Sequence, residues 1–76
     1  MLPKVAEVRN EYTNDDGYVH IDVWETDNDD EPGKTVAIVC TDTHKVYYID
    51  KLYEMVDEVK QAVQEVLDEL NSKTKL

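Results

Sequence analysis

The sequence predicts an α+β domain in two layers. Four antiparallel strands pack one face on a single C-terminal amphipathic helix, in β-β-β-β-α order. Three observations predict it. Residues Tyr18 to Thr26 alternate, with Val19, Ile21 and Val23 in one phase and Tyr18, His20, Asp22 and Trp24 in the other, the period-two pattern of a half-buried strand. Lys34 to Thr41 is a near-continuous β-branched run, which suits a central strand covered on at least one face. From Leu52 onward, Val56, Val59, Val63, Val66 and Leu70 follow at intervals of four and three, the spacing that lines up one face of an α-helix.

The remaining elements follow from local chemistry. Val5 to Tyr12 reads as a first strand, with Val8, Asn10 and Tyr12 sharing a phase. Asn14-Asp15-Asp16-Gly17 closes a hairpin, because Asn and Asp form side-chain turns and Gly tolerates positive φ. Pro32 and Gly33 end an acidic loop that starts at Asp27. Thr41 to His44 makes a short turn into a fourth strand, Lys45 to Ile49. Asp50 is a natural N-cap for a helix over residues 51–71, and Lys73 and Lys75 lie where the helix dipole favours cations. Met55, Ala62 and Leu67 widen the apolar stripe. Val19, Ile21, Val23, Ile38 and that stripe are the expected core. One helix leaves the second sheet face uncovered. Tyr18, His20 and Trp24 are expected there, joined by Tyr12 and by Tyr47 or Tyr48.

The chain of 76 residues makes one small acidic domain, residues 1–76. A chain of that length buries only about 60% of its unfolded surface, so its stability is modest. With Cys40 as the single cysteine there is no intramolecular disulfide, which fits a reducing compartment. The N-terminus has no apolar leader pattern, and with the lone cysteine this leads to the expectation of a cytoplasmic protein. No apolar run is long enough to span a bilayer. Eight basic residues stand against eighteen acidic ones, a net charge of −10. That excludes the usual basic-patch route to nucleic acid or anionic lipid. It leaves room for a protein that imitates those polyanions.

Two surfaces carry the expectation of binding. The first is the outer helix face, with Glu54, Asp57, Glu58, Glu65, Asp68 and Glu69 opposite the stripe. Segment 50–71 holds seven acids against Lys51 and Lys60, a net of −5. Residues three and four apart on a helix lie about 5–6 Å from each other, close to the repeat of phosphates along a nucleic-acid strand. The loop acids Asp27, Asp29, Asp30 and Glu31 add to that field. The second surface is the aromatic sheet face, where Tyr18, His20 and Trp24 have the composition of an interface core.

Chemistry has thinner support. The loop fails the EF-hand pattern, since counting from Asp27 puts Pro32 at position six and Ile38 at position twelve, where Gly and Glu are required. Cys40 lies in an apolar run, so pairing with His44 or His20 and Asp42 is not the favoured reading, and Ser72 sits at a helix end. No cofactor and no resident metal is expected, and the chain is not expected to be an enzyme.

The expected function is therefore a non-catalytic, protein-binding module whose partner is a protein with a basic surface. The sharper form is an inhibitor of phage or mobile-element type that blocks a nucleic-acid-binding groove. The alternative is a structural or regulatory homo-oligomer closed through the aromatic face or through the helix end with Leu67 and Leu70. A calcium-binding module built on the 27–31 loop ranks below both.

Overall fold

Four strands pair antiparallel in chain order, β1 (Glu7–Tyr12), β2 (Tyr18–Trp24), β3 (Lys34–Cys40) and β4 (Val46–Tyr48), and one long helix, α1 (Asp57–Thr74), covers a single face of the sheet. The computed structural model describes residues 3–12, 17–26, 30 and 32–74. The Asn14–Asp16 part of the first turn lies outside them. Gly17 has φ +76°, the left-handed region that glycine enters without steric cost, and its carbonyl accepts from the Thr41 N–H at 3.0 Å and the Thr41 hydroxyl at 2.9 Å.

Register decides which residues enter the core. Val8, Asn10 and Tyr12 pair with Val23, Ile21 and Val19, while Val39 and Ala37 pair with Val19 and Ile21 on the other side. Val19, Ile21, Val23, Ala37 and Val39 are thus one buried row, and they meet Val59, Ala62, Val63, Val66 and Leu70 of α1. Each valine, isoleucine or leucine among them contributes about 1.5–3 kcal/mol when moved from water into this layer. Ile38 is not in that core. It pairs with His20 and Tyr47 in the opposite row and is only half-buried. Tyr12 likewise falls in the register row of Val19, not in the row of His20.

The β2–β3 ladder shifts register between Ile21 and Asp22, so that Ala37 opposes Ile21 but Thr35 opposes Asp22. Val36 is the extra residue of this bulge, and it is fully buried beside Ala37. Its carbonyl accepts from both Ile49 N–H at 2.8 Å and Asp50 N–H at 3.2 Å. The bulge therefore docks the chain as it leaves β4.

The helical segment departs from the sequence reading. It is not one helix over 51–71 but a 3-10 helix, Lys51–Met55, followed by extended Val56 (φ −83°, ψ 122°) and then α1. Asp50 caps the 3-10 helix and not α1, accepting from Leu52 N–H at 3.1 Å. The physical reason is Tyr53. In a continuous helix it would face water, whereas the break turns it inward to 2% exposure. Leu52 and Met55, expected in the stripe, turn outward to 64% and 60% exposure. The three-residue period of the 3-10 helix puts Leu52 and Met55 on one side, away from Tyr53. The Tyr53 hydroxyl lies 3.4 Å from Glu25 Oε1, and the Lys34 ammonium sits 5.3 Å from its ring centroid. No helix among the described residues is long and apolar enough to cross a membrane.

Candidate functional site

α1 begins with Lys60 N–H donating to the Val56 carbonyl at 3.0 Å. Val56 has no side chain to cap the other free N–H groups. Asp57 and Glu58 in the first turn offset this through their interaction with the helix dipole. From there the acids divide by helical phase. Glu58, Glu65 and Glu69 run down one flank, Asp57 and Asp68 stand on the crest opposite the core, and Lys60 falls on the other flank. All of these side chains are exposed.

The acidic flank faces β1. Glu58, Gln61, Ala62 and Glu65 form one wall of a cleft of about 270 Å³ whose other wall is Val5, Ala6, Glu7 and Val8. Glu58 and Glu65 are two turns apart, about 10 Å along the axis, with Gln61 between them. Glu54 belongs to the 3-10 helix, so it does not extend the row. The close three-and-four spacing of acids on α1 survives in Glu65, Asp68 and Glu69.

Two of the protein's cations are held elsewhere. Arg9 Nε pairs with Glu7 Oε1 at 3.0 Å, and Lys34 Nζ pairs with Asp50 Oδ2 at 2.9 Å. Lys34 holds the Asp50 carboxyl below its ordinary pKa, helped by the Leu52 N–H, and Asp50 in turn raises the Lys34 ammonium. Among the described residues these ion pairs involve none of Glu54, Asp57, Glu58, Glu65 or Asp68. Asp68 accepts from the neutral Gln64 amide at 2.9 Å. Asp30 is exposed, and Asp27, Asp29 and Glu31 lie outside the described residues.

Tyr18, His20 and Trp24 do share the sheet face away from α1, and all three are half-buried. Trp24 is engaged by its own chain. The Arg9 guanidinium lies 5.0 Å from the indole centroid, and a Cβ built on Gly33 would come within 2.5 Å of the indole. Gly33 thus packs flat against the ring, and Trp24 joins the first strand to the return into β3. Leu70 is buried in the core and Leu67 is packed against it, so neither is presented at the helix end.

Sequence reasoning missed one pair on this face. Glu11 hydrogen-bonds to Asp22, and that bond together with the Asp22 charge raises the Glu11 pKa. Asp22 is 9% exposed and also accepts the Thr35 hydroxyl. Strand alternation places Asp22 on this face, but only the β1–β2 register brings Glu11 to it. Nearby, half-buried Cys40 has its thiol pKa lowered by the Thr43 hydroxyl and by the backbone N–H groups of Thr43 and Asp42. The His44 ring is engaged elsewhere, with Nδ1 3.0 Å from Asn71 Oδ1. Among the described residues no group of three or more His, Cys, Asp or Glu side chains is arranged to hold a metal ion. Comparison with protein-family models, curated proteins and solved structures finds no match to this chain.

Proposed function

We propose that this chain is a non-catalytic protein-binding domain that occupies a basic surface of a protein partner, blocking the place where that partner would hold nucleic acid. The observation that carries the reading is the acidic side of α1. Asp57, Glu58 and Glu65 are exposed and, among the described residues, carry no internal ion pair, in a molecule of net charge −10. Such a field speeds encounter with cationic surfaces and repels nucleic acid itself. The cleft beside Glu58 and Glu65 has an apolar component in Val5, Val8 and Ala62. A lysine or arginine stem can lie along that surface while its charge reaches the carboxylates.

The test is affinity capture from host extract with the wild-type chain and with Glu58→Lys/Glu65→Lys. Each is run at about 0.05 M and about 0.5 M salt, which shortens the Debye length from more than 10 Å to under 5 Å. Both sites are exposed, so circular dichroism of the double variant should match wild type. Capture of a basic protein that is lost on charge reversal and lost at high salt supports the reading. Capture indifferent to both refutes it.

A further inference from the structure

The sheet face turned away from α1 holds two carboxyl groups side by side. Glu11 stands opposite His20, and Arg9 stands opposite Asp22. Glu11 and Asp22 are therefore diagonal neighbours, a spacing of about 7–8 Å that long side chains bridge. The natural partner of Asp22 is Arg9, directly across the ladder. Arg9 is engaged elsewhere, with its Nε paired to Glu7 at 3.0 Å and its guanidinium 5.0 Å from the Trp24 ring centroid. Asp22, only 9% exposed, accepts the Thr35 hydroxyl from β3 and hydrogen-bonds Glu11 from β1.

An ionised carboxylate only accepts, so two carboxyl groups share a hydrogen bond only when one of them carries a proton. Without that proton, like charges face each other across the β1–β2 ladder, which weakens strand pairing. β1 pairs with β2 and with no other described strand, so no second ladder holds it. Thr35 fixes Asp22 from the far side, and exposed Glu11 is the member with room to withdraw. We propose that Glu11 and Asp22 form a proton-operated latch between β1 and β2: a proton shared by the two carboxyl groups holds the hairpin end of this edge strand, and its departure as the pH rises leaves like charges that loosen it. Among the described residues the other charged groups acting on Glu11 are Arg9 and His20, and both favour its ionised form. The hydrogen bond to Asp22 and the Asp22 charge outweigh them and hold Glu11 above its ordinary value of 4.5. α1 packs on the opposite face of the sheet. Folding thus tightens the hold of Glu11 on its proton. The stabilisation is complete below pH 4.5 and is lost as the pH climbs through the folded value. Asp50, held below its ordinary value by Lys34, has the opposite sign, since its contribution is lost on acidification. Substitution separates the two.

A carboxyl NMR titration of Glu11, with urea unfolding at about pH 5 and about pH 7, tests the latch. In the wild-type chain Glu11 should titrate above 4.5, and in Asp22→Asn at or below it, because Arg9 and His20 then act without the opposing acid. Glu11→Gln gives Asp22 a permanent N–H donor. Its unfolding midpoint near pH 7 should exceed that of wild type by about 0.2–1 M urea, and this advantage should shrink near pH 5. Glu65→Gln, on α1 at the other face, should move the midpoints at the two pH values equally. Glu11 is exposed, so Glu11→Gln carries the test without relying on a substitution at the buried Asp22. A wild-type Glu11 that titrates at or below 4.5 overturns the proposal. So does a Glu11→Gln chain no more stable than wild type near pH 7, or one favoured equally at both pH values. All of these measurements use the chain alone, so their outcome is independent of the capture of a basic partner.

Discussion

Gly33→Ala probes how Trp24 is held. The backbone at Gly33 lies outside the positive-φ region, so alanine meets no strain there; the obstacle is steric. The added Cβ would stand 2.5 Å from Trp24 Cζ2, 2.7 Å from Cε2 and 2.8 Å from Cη2. Carbon atoms pack at about 3.5–4.0 Å, so the ring or the chain must yield by about 1 Å. The ring cannot move without leaving Arg9, whose guanidinium is 5.0 Å from its centroid. Overpacking of this kind costs about 1–3 kcal/mol. A 76-residue domain has about 4–11 kcal/mol in total. With a urea slope near 1 kcal/mol per molar, the unfolding midpoint should fall by about 1–3 M. Trp24 is the single tryptophan, so its emission reports the event directly and should shift to the red as the indole moves into water. In a Trp24→Leu background, the same Gly33→Ala change should be neutral, or stabilising by about 0.4–1 kcal/mol through the unfolded chain. Gly33→Ala with unchanged midpoint and unchanged emission would refute the stacking argument.

Two further predictions follow from residues the fold places unexpectedly. Tyr53→Ala should cost about 3–5 kcal/mol, as for other buried aromatics, whereas Leu52→Ala should stay within about 0.5 kcal/mol, as exposed sites do; denaturant melts reporting the reverse order would mean the helix is continuous through residue 55. The Cys40 thiol, lowered from its ordinary value of 9.0 chiefly by the Thr43 hydroxyl, should be alkylated with a pH midpoint below 9.0. A lowered pKa means more thiolate at a given pH, so Thr43→Val should slow alkylation near pH 8 and move the midpoint upward, and an unmoved profile would remove Thr43 from the account.

Much of the fold was legible because periodicity is a local property. Val19, Ile21 and Val23 alternate with polar residues, and only one face of such a strand can be dry. Val59, Ala62, Val63, Val66 and Leu70 repeat at helical spacing and are all buried against that face. Where the pattern was ambiguous, long-range contacts made the choice. The run from Lys34 to Cys40 has apolar residues in both phases, so nothing local separates Ile38 from Val39. Pairing of Val19 with Val39 does. The bulge at Val36 has no signature in its own residues. It exists where register, helix cover and the N–H groups of Ile49 and Asp50 agree.

The candidate site divides in the same way. Exposure of Asp57, Glu58, Glu65 and Asp68 was readable from helical phase, because the apolar stripe forces the acids outward. That Glu58 and Glu65 stand beside β1, across a cleft from Val5 and Val8, depended on where the helix lies across the sheet. Trp24 was legible as an outward residue, but not its contacts with Gly33 and Arg9, which come from separate stretches of chain.

By itself the sequence determined the layer order, the inward face of β2 and α1 and the sign of the surface field, since these depend on side-chain period and composition. Tertiary structure alone decided which of Tyr53, Leu52 and Met55 would be buried. Segment 51–56 is compatible with both helical periods, and the bulky Tyr53 ring is buried only if the helix breaks at Val56, which turns Leu52 and Met55 out to water.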